Sequence, residues 1–247
     1  MKLEFNHKVH VLTKREELDG VRLAGKVAVV LDVLFATTTM IAALANGARE
    51  VRPVLDEAAA RAEAKRCGEA PHVLSGELMA ETLPGFAHPA PLALLEHGVS
   101  GKVLVYSTTN GTVAMRHASG AAHVYCGALI NCRAVAEHVL ARHAGDTVLL
   151  VCSGSANNFN LEDFVGAGAI VEHLSARLGP SADLSDAARA ARSVYRSAEL
   201  PAALLECRVG RMMARRGLAH EVEFACKTDL YSLVPALGAD GILRPAA

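Results

Sequence analysis

Three short polar clusters in an otherwise apolar chain carry the residues that can do chemistry. The first is Asp32 followed by Thr37-Thr38-Thr39. The second is Ser107-Thr108-Thr109-Asn110-Gly111-Thr112. The third runs from Cys152-Ser153-Gly154-Ser155-Ala156-Asn157-Asn158 into Glu162-Asp163. Each offers small hydroxyls, amides and backbone N–H groups, the donors that hold an anion where a turn runs into a helix N-terminus. Asp32, Glu162 and Asp163 add hard oxygen ligands of the kind Mg²⁺ takes, one or two carboxylates completed by water and substrate oxygens. An anion cradle beside such a cation suits a phosphate ester: the metal polarises the phosphoryl oxygens while N–H groups hold the rest.

Each cluster also has a plain structural reading. Ser107 to Thr112 is an ordinary helix cap on a strand-to-helix loop. Glu162 and Asp163 open a helix, where acids offset the macrodipole without any catalytic duty. Asp32 is harder to explain that way, because it stands at the end of an apolar strand and an unpaired buried charge is costly. Cys152 lacks the Cys-x₅-Arg spacing of a thiolate phosphatase, since position 158 is Asn, and reads as packing or support beside the site. Of the eleven histidines, His88 alone falls in a segment where it merits a test.

The elements that must position these residues alternate. Strands are predicted at Val27–Leu31, Glu50–Leu55, Val73–Leu74, Val103–Tyr106, His123–Cys126 and Thr147–Val151, with one or two short ones over Leu3, Phe5, Val9 and Val11. Helices are predicted over 40–45, 57–67, 112–117, 131–143, 162–178, 184–197 and 201–216, with Asp56 as a cap and Asn46-Gly47 as a stop. Val222–Cys226 reads as an edge strand. Ser75 to Pro91 shows no period and reads as a functional lid or a disordered loop. Alternation of this kind predicts a three-layer α/β/α fold with a mostly parallel sheet, possibly mixed, in one domain over residues 1–247. In such sheets ligands sit beyond the carboxyl ends of the strands, where the three clusters converge if their strands are parallel neighbours.

Composition excludes several classes. With 25 basic and 26 acidic residues and a net charge of −1, the chain lacks the basic face that nucleic acid or an anionic membrane selects. No apolar run spans a bilayer. Met1-Lys2-Leu3-Glu4-Phe5 lacks a signal-peptide core, so a cytoplasmic location is expected. The six cysteines form no C-x-x-C pair and no zinc-ribbon spacing, so neither a structural zinc site nor a disulfide framework is expected.

In its specific motifs the chain resembles the 2-phosphosulfolactate phosphatase family, Mg²⁺-dependent enzymes of coenzyme M biosynthesis. The likeness rests on Asp32-Val33-Leu34 with Ala36-Thr37-Thr38-Thr39 and Ala42 to Ala48, on Ser107 to Thr112, and on Cys152-Ser153-Gly154 with Leu161-Glu162-Asp163-Phe164. Ser185-Asp186-Ala187-Ala188-Arg189 and Asp229-Leu230-Tyr231 before Val234-Pro235 extend it over most of the chain. The resemblance implies a cytosolic, homodimeric phosphoric monoester hydrolase acting on a small anionic or acidic substrate. It implies Asp32, Asn110, Glu162 and Asp163 as catalytic residues, with Asp32, Glu162 and Asp163 holding Mg²⁺. Substrate contacts are expected from Phe35, Thr37, Thr38, Glu77, Ser107, Thr108, Thr109, Gly111 and Thr112, and from Cys152, Ser153, Gly154 and Ser155.

Departures from the family pattern fall in the same places. Phe35 stands where the family has Arg, and Gly76-Glu77-Leu78-Met79-Ala80 replaces Gly-Glu-Arg-Gly-Gly. Gly85-Phe86-Ala87-His88-Pro89-Ala90-Pro91 shortens a longer Asp/Asn/Ser-containing loop, and Ala156-Asn157-Asn158 replaces an acid, a Gly and a basic residue. Two arginines suited to a bidentate grip on phosphate or sulfonate are gone. Three outcomes stay open: the family chemistry on a small phosphorylated acid, a hydrolase or lyase for a less anionic molecule, or a non-catalytic binding protein.

Overall fold

The computed structural model describes residues 8–18 and 22–246. The expected strand residues Leu3 and Phe5 lie outside the described residues. β1 (Val9–Leu12) is buried along its whole length, and β2 (Val27–Leu31) follows it. α1 (Ala36–Ala45), β3 (Glu50–Val54) and α2 (Glu57–Cys67) come next. Asp56 opens α2 as expected, its carboxylate accepting from Ala59 N at 2.8 Å. β4 (His72–Leu78) and the two-residue β5 (Glu81–Thr82) form a hairpin, followed by α3 (Pro91–His97), β6 (Val103–Ser107) and α4 (Gly111–His117). The segment 75–91, expected to be a lid or disordered loop, is thus a hairpin and a turn, bonded back to the sheet through Ala87 N and Leu74 O at 2.8 Å.

β7 (His123–Gly127), α5 (Cys132–Arg142), β8 (Val148–Cys152), α6 (Leu161–Leu178) and α7 (Asp186–Ser197) match the predicted alternation. Beyond them the expected helix over 201–216 is two, α8 (Ala202–Glu206) and α9 (Arg208–Arg215). The expected edge strand Val222–Cys226 is instead α10 (Ala219–Ala225). Glu221 gives the reason: fully buried, its carboxylate accepts from Leu92 N and Ala93 N at 2.8 Å and caps α3 from another part of the chain. A strand would not deliver that carboxylate while burying Val222 and Ala225 on one helical face. β9 (Pro235–Leu237) and β10 (Leu243–Pro245) close the chain as a hairpin.

The ten strands form one sheet in the order β1-β8-β2-β7-β9-β10-β3-β6-β4-β5. β1-β8-β2-β7 are parallel, and so are β3-β6-β4. The C-terminal hairpin joins the two groups through antiparallel pairings at Tyr125–Ala236 and Leu243–Val51. Side chains alternate between the faces as strand geometry requires. Val27, Val29 and Leu31 pack under α5, α6 and α7, whereas Ala28 and Val30 pack against α1, α3 and α4. α2 covers Val103 and Val105 in a third, smaller cluster. The architecture is a three-layer α/β/α fold with a mixed, mostly parallel sheet.

Candidate active site

Asp32 leaves the end of β2 and is held from every side. Its backbone N–H donates to Thr37 Oγ1 at 2.9 Å, and Thr37 N donates to Asp32 O at 2.9 Å. Thr38 Oγ1 donates to Val33 O and Thr39 Oγ1 to Pro89 O. Thr37 and Thr38, expected to contact substrate, are fully buried with their hydroxyls committed to this loop. Their job in the fold is to aim Asp32. Gly111 presses on the same carboxylate: a Cβ there would lie 2.7 Å from Asp32 Oδ2 and 2.4 Å from Ala36 Cβ, so a side chain would force α4 off Asp32. Burial raises the Asp32 pKa to about 7, helped by the charges of Glu77 and Glu162, against the pull of Ala36 N–H and Arg15.

The loop after β6 is tied up internally, which alters the expected anion cradle. Thr109 N and Oγ1 donate to the two Glu77 oxygens at 2.6 and 3.0 Å, and Ala80 N donates to Glu77 Oε2 at 2.6 Å. Thr112 N donates to Thr108 Oγ1, Thr108 N to Thr112 Oγ1, and Thr112 Oγ1 to Thr108 O. Three backbone N–H groups on which a phosphate grip would depend already have partners. The cationic group here is instead Arg15, in a short turn after β1, whose Nη1 donates to Asn110 Oδ1 at 2.8 Å.

Beyond β8 the acids of α6 divide their roles. Asp163, fully buried, accepts from Val33 N at 2.9 Å and from Gly154 N at 3.2 Å, tying the loop after β2 to the loop after β8. Burial and the charges of Asp32 and Glu162 push its pKa up, and the two N–H bonds pull it down. Glu162 accepts from Cys207 Sγ at 3.2 Å, joining α6 to the start of α9, and burial raises its pKa as well. Arg208, next along α9, donates to Asn160 Oδ1 at 2.7 Å and also bonds Ser155 Oγ.

These elements enclose a cavity of about 270 Å³. Asp32, Phe35, Glu77, Thr108, Thr109, Asn110 and Ser155 line it, so seven expected site residues meet at one place. Ser107, Gly111, Thr112, Cys152, Ser153 and Gly154 stand behind the lining, with Glu162 and Asp163 supporting it from α6. Cys152 is fully buried, and burial raises its thiol pKa. Of the two residues that stand where the family has arginine, Leu78 is 61% exposed and outside the lining, while Phe35 is in it. His88 also lines the cavity, its Nδ1 accepting from Ala90 N at 3.1 Å.

Sequence reasoning missed both arginines of the cavity. Arg15 had a signal: β1 ends in Thr13-Lys14-Arg15, a fourth polar strand end, and β1 lies beside β8, which lies beside β2. Arg208 had none, because the break at Cys207 that turns it toward Asn160 depends on tertiary bonds. Also missed was the apolar part of the lining, Met79, Val209, Met212, Met213 and Leu218. Met79 and Ala80 hold left-handed backbone, φ 53° and 65°, at positions where the family pattern has Gly-Gly. The loop keeps the glycine conformation after losing the glycines.

For a divalent cation the donor set fits in part. Asp32 lines the cavity, and the crowding by Glu77 and Glu162 that raises its pKa is what a dication relieves. Asp163 does not reach the cavity: it is fully buried behind the lining, where its two oxygens tie the loops after β2 and β8 together. Asp32, Glu162 and Asp163 accordingly form no cluster of converging ligand atoms among the described residues; Cys132, His173 and Asp229, elsewhere in the fold, do.

A family model described as 2-phosphosulpholactate phosphatase matches residues 12–240. A probable 2-phosphosulfolactate phosphatase of Symbiobacterium thermophilum is 38% identical over 216 residues, covering 86% of this chain and 91% of its own. Proteins of the same description from Deinococcus radiodurans and Thermotoga maritima are 38% and 36% identical, over 85% and 86% of this chain and 87% and 89% of theirs. No helix among the described residues is long and apolar enough to cross a membrane. The chain belongs to the 2-phosphosulpholactate phosphatase family of phosphoric monoester hydrolases.

Proposed function

We propose that the cavity hydrolyses the phosphate monoester of a small acid that carries an apolar substituent, with Mg²⁺ as cofactor. The observation that carries this reading is the meeting of Asp32, Arg15 and Arg208 around one cavity whose lining also includes an apolar set, Phe35, Met79 and the methionines of α9. Arg15 and Arg208 grip the phosphate and acid oxygens through charge-assisted bonds. Asn110 and Asn160 hold the two guanidinium groups in place. Asp32 is the residue that would hold the cation, which when bound neutralises the phosphoryl oxygens. Glu162 and Asp163 act from behind, one through its charge and the other by fixing the two loops. His88 lines the cavity, and with Nδ1 accepting from Ala90 N its Nε2 is the nitrogen left to hydrogen-bond an ester oxygen. A cytoplasmic location and a homodimeric state belong to the same proposal and rest on the sequence resemblance.

The apolar wall separates this reading from turnover of 2-phosphosulfolactate itself, whose sulfonate would face methionine and phenylalanine. The test is phosphate release from 2-phosphosulfolactate and from 2-phospho-3-phenyllactate, each with Mg²⁺ and with EDTA. We expect the higher kcat/KM on the phenyl compound and no release with EDTA. Equal or better turnover of 2-phosphosulfolactate overturns the apolar-substituent assignment. Binding of both esters with no phosphate release from either favours a non-catalytic binding protein.

A further inference from the structure

Outside the cavity lining, three residues of different ligand type come together at the start of α5. Cys132 Sγ lies 3.1 Å from Asp229 Oδ1, and His173 Nε2 of α6 lies 3.3 Å from Asp229 Oδ2. The ligand atoms of all three fall within 4.8 Å of one another. We propose that Cys132, His173 and Asp229 form a second metal site, independent of the phosphatase reading, for a borderline-soft divalent cation of the Zn²⁺ type. Thiolate, imidazole and carboxylate together are a Zn²⁺ donor set, not a Mg²⁺ one.

The geometry is close to what binding needs. Ligand atoms around a tetrahedral Zn²⁺ stand roughly 3.4–3.6 Å apart, given Zn–S near 2.3 Å and Zn–N or Zn–O near 2.1 Å. The Sγ–Oδ1 and Nε2–Oδ2 separations run to the two oxygens of one carboxylate, and the three ligand atoms lie within 4.8 Å of one another, so small side-chain rotations would gather them on one ion. Asp229 is oriented without using the bonds a metal would replace. Arg133 N donates to Oδ1 at 2.8 Å and Arg133 Nη2 to Oδ2 at 2.9 Å. These are the outer contacts that fix a ligating carboxylate. The Arg133 side chain is 60% exposed, so solvent screens its charge. Asp229 itself sits at φ 56°, a left-handed conformation uncommon for a residue with a side chain. That turn is what aims its carboxylate at Cys132 and His173.

Without a metal the cluster is a hydrogen-bonded tie, and Asp229 also bonds the first turn of α5. Burial together with the Asp229 charge raises the Cys132 thiol pKa, so metal uptake must release one proton from Cys132 to solvent as the S–H bond gives way to an S–metal bond. His173 opens on a groove of about 190 Å³ between α5 and α6, lined also by Arg133, Ala136, Glu137, Ala176 and Arg177, with Arg177 paired to Glu137. Three protein ligands leave the fourth position to water on that side.

Co²⁺ alone is the probe, because a thiolate ligand gives it a near-ultraviolet charge-transfer band. The full-length chain should bind one equivalent with that band and release about one proton per ion. Cys132→Ser should abolish the band, and His173→Gln, at a partly exposed position, should weaken binding at least tenfold. Asp32→Asn should leave the thiolate charge-transfer band unchanged, because that carboxylate supplies no sulfur ligand. Circular dichroism confirms that each variant is folded, and His173→Gln keeps the test valid if Cys132→Ser is not. Absence of a saturable band, or a band that survives in both Cys132→Ser and His173→Gln but is lost in Cys207→Ser, overturns the assignment.

Discussion

Replacing Asp32 with Asn should stabilise the metal-free protein while stopping its chemistry, and the size of the gain should depend on pH. Asn keeps the shape of the side chain and an oxygen for Ala36 N–H, but it removes a charge from a group whose pKa is raised from 3.8 to about 7. Below pH 3.8 the carboxyl is protonated folded and unfolded, and it contributes no difference. Between 3.8 and about 7 the unfolded chain releases the proton that the native chain keeps. The native state then binds more protons, so wild-type stability falls as pH rises through this window. At about 1.4 kcal/mol for each of roughly three pH units, the penalty reaches at most about 4 kcal/mol above neutrality. Urea denaturation with EDTA at pH 5 and pH 8 measures it. The Asn variant should gain on wild type by roughly 2–3 kcal/mol between those pH values. Added Mg²⁺ should raise the stability of wild type at pH 8 and leave the variant unchanged, because a cation that binds the folded state alone shifts the equilibrium toward it. A variant less stable than wild type by the same margin at both pH values would refute the reasoning, since it would show Asp32 to be a compensated structural charge.

The remaining predictions concern the cavity walls. Arg15→Ala and Arg208→Ala should each lower kcat/KM on an anionic ester by roughly 10- to 100-fold, the worth of one charge-assisted bond, with Lys a poor substitute at either position; steady-state phosphate release reads both. Phe35→Arg should raise kcat/KM on 2-phosphosulfolactate relative to the phenyl compound, whereas Leu78→Arg should change neither, because only Phe35 lines the cavity. Ala80→Gly should stabilise the fold by about 0.5–1 kcal/mol in thermal denaturation, the left-handed strain at φ 65° outweighing the chain entropy that glycine adds.

Much of the fold was legible because its signals are local. β2 and β8 are continuous apolar runs with β-branched residues, and each is flanked by a parallel strand on both sides. α6 carries its buried face over eighteen residues, enough for the period to show. What was illegible depends on partners distant in the chain. Val222–Cys226 alternates like a strand, and only the capping of α3 by Glu221 makes it a helix. β9 and β10 are three residues each and carry no pattern of their own.

The site follows the same division. Asp32 stood out because an acid at the end of a buried strand has few structural explanations. The hydroxyl clusters misled in part, because Thr37, Thr38, Thr108 and Thr112 satisfy backbone groups of their own loops. Convergence at strand ends holds for β1, β8 and β2, which are parallel neighbours. It does not by itself bring in β6, which has four strands between it and β2 and runs opposite to it, since three antiparallel steps separate the two groups. Gly111, by letting α4 touch Asp32, makes that connection.

The central claim is that Asp32, Arg15 and Arg208 form one phosphate site. Crystals grown with Mg²⁺ and orthovanadate test it most directly, since vanadate takes the geometry of a phosphoryl group in transfer. The account predicts vanadate in the cavity with oxygens within hydrogen-bond distance of both guanidinium groups, and an octahedral cation about 2.1 Å from an Asp32 oxygen. Vanadate bound away from Arg15 and Arg208, or a cation held by Glu162 and Asp163 without Asp32, would contradict it.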